Sequence, residues 1–371
     1  MRITIDATPV LLRSAGVKSY LYHWIRYLRR APVSRDGATI YAFPSLEGAI
    51  FGETDVDRGR LNHEGSPLGF AGTAARLALV HSLRVFGAPL LDGAISGSDV
   101  FHASNLVRCA PRRAKLTATL HDLTTWIMPG MHAAANVHAD QAFAGNIVRR
   151  ADALIAVSEN TRQDAIRLLG IAPDKITTIH SGVAPEYFDA RPEPRKRPYV
   201  LFVGTIEPRK NLDTLLDAWK MIRAETRREF DLVVAGPRGW GPGATFSRVL
   251  SEASYAGYVP EAQMPGLFAG ATLFVYPSFY EGFGFPVVQA LAARGPVVTS
   301  NTSCLPEVAR DGAVLVDPKS PTELAAAIER LLESPAERAK LAGYGRASAE
   351  RFRWEKCAEQ SLAFFRRVAG K

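Results

Sequence analysis

The chain has 371 residues, 47% hydrophobic and 22% charged, which excludes a disordered or collagen-like protein and suits two domains with cores of their own. Its formal net charge of +8 favours anionic partners (phosphates, nucleic acid or anionic lipid) without choosing among them. Cys109, Cys304 and Cys357 are the only cysteines and form no CxxC pair, which excludes a disulfide scaffold and a cysteine-based zinc site and suits a reducing cytosol.

The start, Met1 to Asp6, lacks a hydrophobic h-region, so no signal peptide is expected. Short β-branched runs then alternate with helical patterns, the signature of parallel βαβ units. Strands are predicted at 2–6, 39–43, 99–102, 116–120, 153–157 and 176–179. The first helix is predicted over 18–30, with Tyr20, Leu21, Trp24 and Leu28 at helical spacing. Ser158 is the predicted cap of a helix running to Gly170, with Thr161 as a rival cap. Residues 47–66 are irregular and carry no signal.

Residues 190–198 hold three prolines and four cations and read as a linker. The pattern then restarts, with strands predicted at 199–203, 231–235, 271–275, 296–299 and 313–316. A helix is predicted over 211–223, and helices close the chain from Pro321 to Lys371. The uncharged stretch 262–280 is interrupted by Pro265, Gly266, Gly270 and Pro277, so it reads as loop, helix and strand rather than a membrane span. The predicted fold class is α/β: two doubly wound Rossmann-like domains, 1–192 and 198–351. Such domains bind ligands at the C-terminal ends of their strands.

Four segments carry chemistry. In 202–211 a strand ends at Gly204, Arg209 and Lys210 follow in a loop, and Asn211 starts a helix. Close backbone approach, a helix N-terminus and two cations suit a diphosphate; the competing reading is a solvated cation pair after a turn. In 277–286 Glu281 sits in a loop before Gly282, Phe283, Gly284 and Phe285, with backbone N–H groups placed for oxygens. Gln289 lies just over two turns on. The competing reading is a glycine turn with a capping glutamate. His121 and Asp122 end a hydrophobic strand; His121 is either structural or an acid, base or donor to a sugar hydroxyl. Between the first strand and helix, Gly16 permits a tight turn and Lys18 could meet a phosphate, but no GxGxxG is present. The glycine-rich segment 236–243 contains prolines and reads as a mobile loop. His132 and His138 fall on different helix faces and no HExxH occurs, so no protein-ligated metal site is expected.

In this order and spacing, the segments resemble the retaining glycosyltransferases of family 4, which share the GT-B fold. The resemblance spans essentially the whole chain. It also includes 157–159, 181–183, Gly257-Tyr258-Val259 and 306–308. It implies two domains facing across a cleft, a nucleotide-sugar donor held by the C-terminal domain and an acceptor held by the N-terminal one. It implies that the last helix, about 352–371, packs back on the N-terminal domain. Transfer would be metal-independent and would retain the anomeric configuration, with the nucleotide-sugar a substrate and no cofactor. Arg209 and Lys210 would neutralise the diphosphate. Glu281 would hold sugar hydroxyls or assist the oxocarbenium-like centre, and His121 would orient the sugar. Gly16, Lys18, Gly204, Tyr258, Val259 and the 282–285 backbone would line the donor, and Gln289 would grip the ribose. Two departures stand out: Gln289 replaces the family's second glutamate, and Lys18 stands where a second glycine is frequent.

The expected donor is GDP-mannose and the expected acceptor a glycan or lipid-linked saccharide, with no nucleic-acid partner. A non-catalytic sugar-nucleotide-binding or scaffold subunit and a sugar-nucleotide epimerase of similar architecture are the alternatives. The expected location is cytoplasmic. Arg26, Arg29 and Arg30 share the first helix with Tyr20, Trp24 and Tyr27, a composition that docks at the anionic inner face of a membrane or forms an ordinary amphipathic helix.

Overall fold

The computed structural model describes residues 1–12, 16–31, 37–46, 50–51 and 66–371. The chain divides into two compact units: Met1–Gly182 with Trp354–Lys371, and Val183–Arg353. Each is built on a six-stranded, wholly parallel sheet.

In the first unit the strands are β1 (Arg2–Asp6), β2 (Thr39–Phe43), β3 (Val100–Ala103), β4 (Lys115–Leu120), β5 (Ala153–Ala156) and β6 (Ile176–Thr178). Their order is β2-β1-β3-β4-β5-β6. In the second they are β7 (Tyr199–Val203), β8 (Asp231–Ala235), β9 (Ser254–Gly257), β10 (Leu273–Tyr276), β11 (Val297–Ser300) and β12 (Ala313–Val316). Their order is β12-β11-β10-β7-β8-β9. Helices cover both faces of such sheets, so the central strands are apolar throughout: every residue of β7 and β10 is buried.

Local chemistry fixes several helix ends. The Ser158 hydroxyl accepts from Thr161 N at 3.1 Å, and Gly170 ends that helix in the left-handed region at φ 66°. Ser320 and Ser334 cap the next-to-last helices by accepting from Glu323 N and Glu337 N. The last helix, Trp354–Ala369, packs on Gly16–Arg30: Trp24 Nε1 donates to Ser361 Oγ at 2.9 Å, and His23 stacks on Trp354.

Two expectations change, and one element is new. The 190–198 stretch is not between the units; it lies inside the second, where Glu193 N donates to Gly266 O and Arg195 covers the Tyr199 ring. Two of the three aromatic side chains named on the first helix do not reach solvent: Tyr20 and Trp24 are fully buried against the sheet and the last helix, whereas Tyr27 is half-buried. A long helix, Phe70–Ala94, broken at Gly87, occupies a region without a predicted element. Among the described residues no single helix is long and apolar enough to cross a membrane; Phe70–Leu83 and Val85–Ala94 reach that composition only as a bent pair. Most of the irregular 47–66 stretch lies outside the described residues.

Candidate functional site

The C-terminal edge of the second sheet is built on closely spaced backbones. Gly204 N donates to Ala235 O and Gly236 N to Gly257 O, which lines up the ends of β7, β8 and β9. Gly236, at φ 133°, is the residue that cannot carry a side chain: a Cβ there would stand 2.1 Å from Gly204 O. Gly204 itself has room for a Cβ. The segment read as a mobile loop is tied down at its start, where Ile206 N donates to Pro237 O and Gly239 N to Ile206 O.

Two loops meet at this edge. Asn211, left-handed at φ 58°, donates from Nδ2 to Pro277 O and Pro318 O. Phe279 N and the Ser278 hydroxyl donate to Arg209 O. These bonds bring the 204–211 and 277–281 segments together, and with them the charges of Arg209, Lys210 and Glu281.

The Glu281 side chain is turned into the protein. It is 7% exposed, and its carboxylate is the centre of a cluster. Oε1 accepts from Lys210 Nζ at 2.6 Å, Tyr276 OH at 3.0 Å and Ser278 Oγ at 2.7 Å. Oε2 lies 2.9 Å from Arg209 Nη1, and Arg209 Nη2 meets Glu207 Oε1 at 2.7 Å. Lys210 also donates to Tyr276 OH. A carboxylate and an ammonium are held here because each desolvated charge faces an opposite one. Burial pushes the Glu281 carboxyl up, but Arg209 and Lys210 outweigh it and hold the group down at about 2. Burial and Arg209 lower the Lys210 ammonium, against Glu281 and Glu207. Two cations facing two carboxylates leave the cluster electroneutral.

The remaining predicted residues of this unit lie just after β9 and at the helix that follows β10. Gly284 is left-handed at φ 78° and opens the Phe285–Ala292 helix; a Cβ there would strike Leu305. Phe283 is buried between Phe285 and Phe352. Gln289 is half-buried on the same helix, and Tyr258 and Val259 are half-buried just after β9.

In the first unit Gly16 begins its helix with open space around it, while Ser14 and Ala15 lie outside the described residues. Lys18 differs from the expected phosphate-facing cation. It is fully buried, its Nζ donates to Leu12 O at 3.1 Å, and burial lowers its ammonium to about 8. His121 ends β4 and meets the Tyr20 ring edge-on, with ring centres 4.8 Å apart. Burial lowers its imidazole to about 4, against the pull of Asp122, so it is neutral at pH 7. Asp122 Oδ1 accepts from Thr124 N and Oγ1, which fixes the turn after β4.

Sequence reasoning passed over several residues. Tyr276, Ser278 and Glu207 complete the ion cluster. Asp6, fully buried, accepts from Thr8 and Ser104 and ties the loops after β1 and β3 together. His102 is buried between the Thr117 and Thr119 hydroxyls, each 3.0 Å away. A polar residue at the end of a buried strand was the available signal for Asp6 and Tyr276. Among the described residues, no three His, Cys, Asp or Glu side chains are grouped to hold a metal ion.

Comparison with known proteins bears on both units. The family model for glycosyl transferases group 1 matches residues 183–348, and that for Glycosyltransferase Family 4 matches 15–187. The O-antigen chain mannosyltransferase B of Escherichia coli is 32% identical over 71% of this chain and 73% of its own length. Among solved structures, the sucrose-phosphate synthase of Thermosynechococcus elongatus superposes with a TM-score of 0.70 at 18% identity, covering 99% of each chain. HepE of Anabaena, in complex with UDP and glucose, superposes with a TM-score of 0.68 at 18% identity, covering 98% of each.

Proposed function

Because the chain belongs to family 4 of the glycosyltransferases, enzymes of GT-B fold, we propose that it moves mannose from GDP-mannose to a hydroxyl of a glycan or lipid-linked acceptor. The mannosyltransferase name of the Escherichia coli relative supports the sugar. The proposed reaction retains the anomeric configuration, needs no metal or other cofactor, and takes place in the cytoplasm.

The observation that carries this reading is the buried Arg209–Lys210–Glu281 cluster at the end of β7. The acceptor oxygen bonds to the anomeric carbon on the face that the diphosphate leaves, and its proton passes to a diphosphate oxygen. The diphosphate leaves with the electron pair of the broken glycosidic bond. Negative charge therefore grows on the leaving oxygens, and cations fixed before the reaction stabilise it most in the transition state. An arriving diphosphate competes with Glu281 and Glu207 for those cations. In the proposed division of labour Arg209 and Lys210 meet the diphosphate, and Glu281 turns toward the sugar. Gln289 contacts the ribose, and Gly204, Tyr258, Val259 and 282–285 line the nucleotide-sugar. Neutral His121 serves the sugar as a hydrogen-bonding group rather than as a cation, and Gly16, at the start of the first helix, leaves room for the donor.

The test is turnover by the purified chain with a panel of nucleotide-sugars, read as nucleotide release with and without acceptor. Release that requires acceptor and survives EDTA is expected. Arg209→Ala should lower kcat by about 30- to 1000-fold, roughly 2–4 kcal/mol. Wild-type turnover by both Arg209→Ala and Lys210→Ala at saturating donor would remove the leaving-group role.

A further inference from the structure

A partly open cavity of about 200 Å³ lies within the first unit, beside His121. Its lining includes the polar side chains of Asn105, His121, Asp122 and Asp140 and the apolar ones of Trp126 and Phe143. Three features distinguish it from a packing gap. Its lining holds two carboxylates and, among the described residues, no lysine or arginine. Tyr20, which also lines it, is 1% exposed, and its hydroxyl makes no hydrogen bond of ordinary geometry, with Thr119 beside it. Asp122 is held in place by Thr124, so its second oxygen stands ready without rearrangement.

The charge balance is one-sided. His121 is neutral at pH 7. Burial, then Asp122, raises the Asp140 carboxyl to about 6, against Thr125 and Arg108; Arg108 acts on Asp140 from outside the lining. Nearby Lys18 is turned to Leu12 O.

We propose that this cavity seats the acceptor sugar and that the ring it takes is an uncharged hexopyranoside, not a sugar phosphate or another anionic sugar. The inference rests on the hexosyltransferase reading above. Adjacent sugar hydroxyls are donors, and carboxylates are the acceptors that bind them most strongly. The indole of Trp126 offers an apolar face to the C–H side of a ring. The volume is below that of sites for drug-sized ligands and suits one ring. A phosphate would face Asp122 and Asp140 in a poorly solvated space with only a neutral imidazole to answer it.

The test is a ligand-observed NMR titration of the full chain at pH 7.5. The probes are methyl gluco-, manno- and galactopyranosides and the corresponding hexose 6-phosphates. At least one hexoside should bind, with its 6-phosphate about tenfold weaker or worse. Asp140→Asn should weaken the hexoside several-fold and shrink the penalty on the phosphate. Phe143→Trp, which fills the cavity, should abolish hexoside binding, and Asn105→Ala gives a further readout should either variant melt early. The idea is overturned if no hexoside binds, if the 6-phosphates bind equally well, or if folded variants bind as the wild type does. Calorimetry with GDP on the same samples separates the two readings: lost nucleotide binding in the wild type breaks the transferase reading, whereas normal nucleotide binding without hexoside preference breaks only this one.

Discussion

The ion cluster of the second unit and the cavity of the first handle buried charge in opposite ways. Around Glu281 every charge has a countercharge within 3 Å, and the carboxyl is held down at about 2. Around Asp140 burial and a neighbouring acid prevail, and the carboxyl is pushed up to about 6. The first arrangement pre-positions cations. The second leaves acceptors waiting for donors that a neutral ligand brings. Two carboxylates on similar folds thus become different tools because of what the chain packs beside them.

The comparison breaks first, and hardest, at the cluster. Lys210→Ala leaves Glu281 buried with one cation fewer, and a loss of about 3–5 kcal/mol in urea unfolding is expected. Lys210→Met combined with Glu281→Gln should lose clearly less, because no uncompensated charge stays buried. Equal losses for the single and double variants would mean that the pair is not what holds these loops. The platform under the cluster is next. Gly236→Ala drives a Cβ into Gly204 O at a positive φ, at an expected cost of about 1–3 kcal/mol by overpacking. Nucleotide affinity should fall with it in calorimetry.

Acid sharpens the contrast. The folded pKa of Glu281 lies below its ordinary 4.5, so its contribution is present above pH 4.5 and is lost as pH falls toward 2. Glu281→Gln should flatten that part of the stability curve. His121, lowered from 6.5 to about 4, weakens the fold as pH falls through that window, because the unfolded chain binds the proton first. His121→Gln should remove part of that slope. The smallest effect is expected at Asp140, where the sign reverses. Its folded pKa is raised from 3.8 to about 6, so stability is lost as pH rises between those values. Asp140→Asn should melt slightly higher than wild type at pH 7 and level with it below pH 4. A variant less stable at pH 7 would show that the Asp140 carboxylate is already satisfied.

The sequence by itself determined the fold class and nearly all the strands, because a parallel strand buried on both faces must be apolar along its length. β9, at the sheet edge with alternating exposure, carried no such signal and was passed over. The sequence also determined the Ser158 cap and the ends of β7 and β10 where Arg209, Lys210 and Glu281 sit, since strand-end loops and caps are local chemistry. It did not determine their pairing. Lys210 and Glu281 are 71 residues apart, and no local pattern says that Glu281 turns inward to meet two cations, Tyr276 and Ser278. Nor does a pattern say that Lys18 is enclosed, or that Tyr20, Asp122 and Asp140 surround one cavity. Those outcomes depend on which loops each sheet brings together within its own unit. Burial then decides them, because a desolvated charge must find its partner wherever in the chain that partner lies.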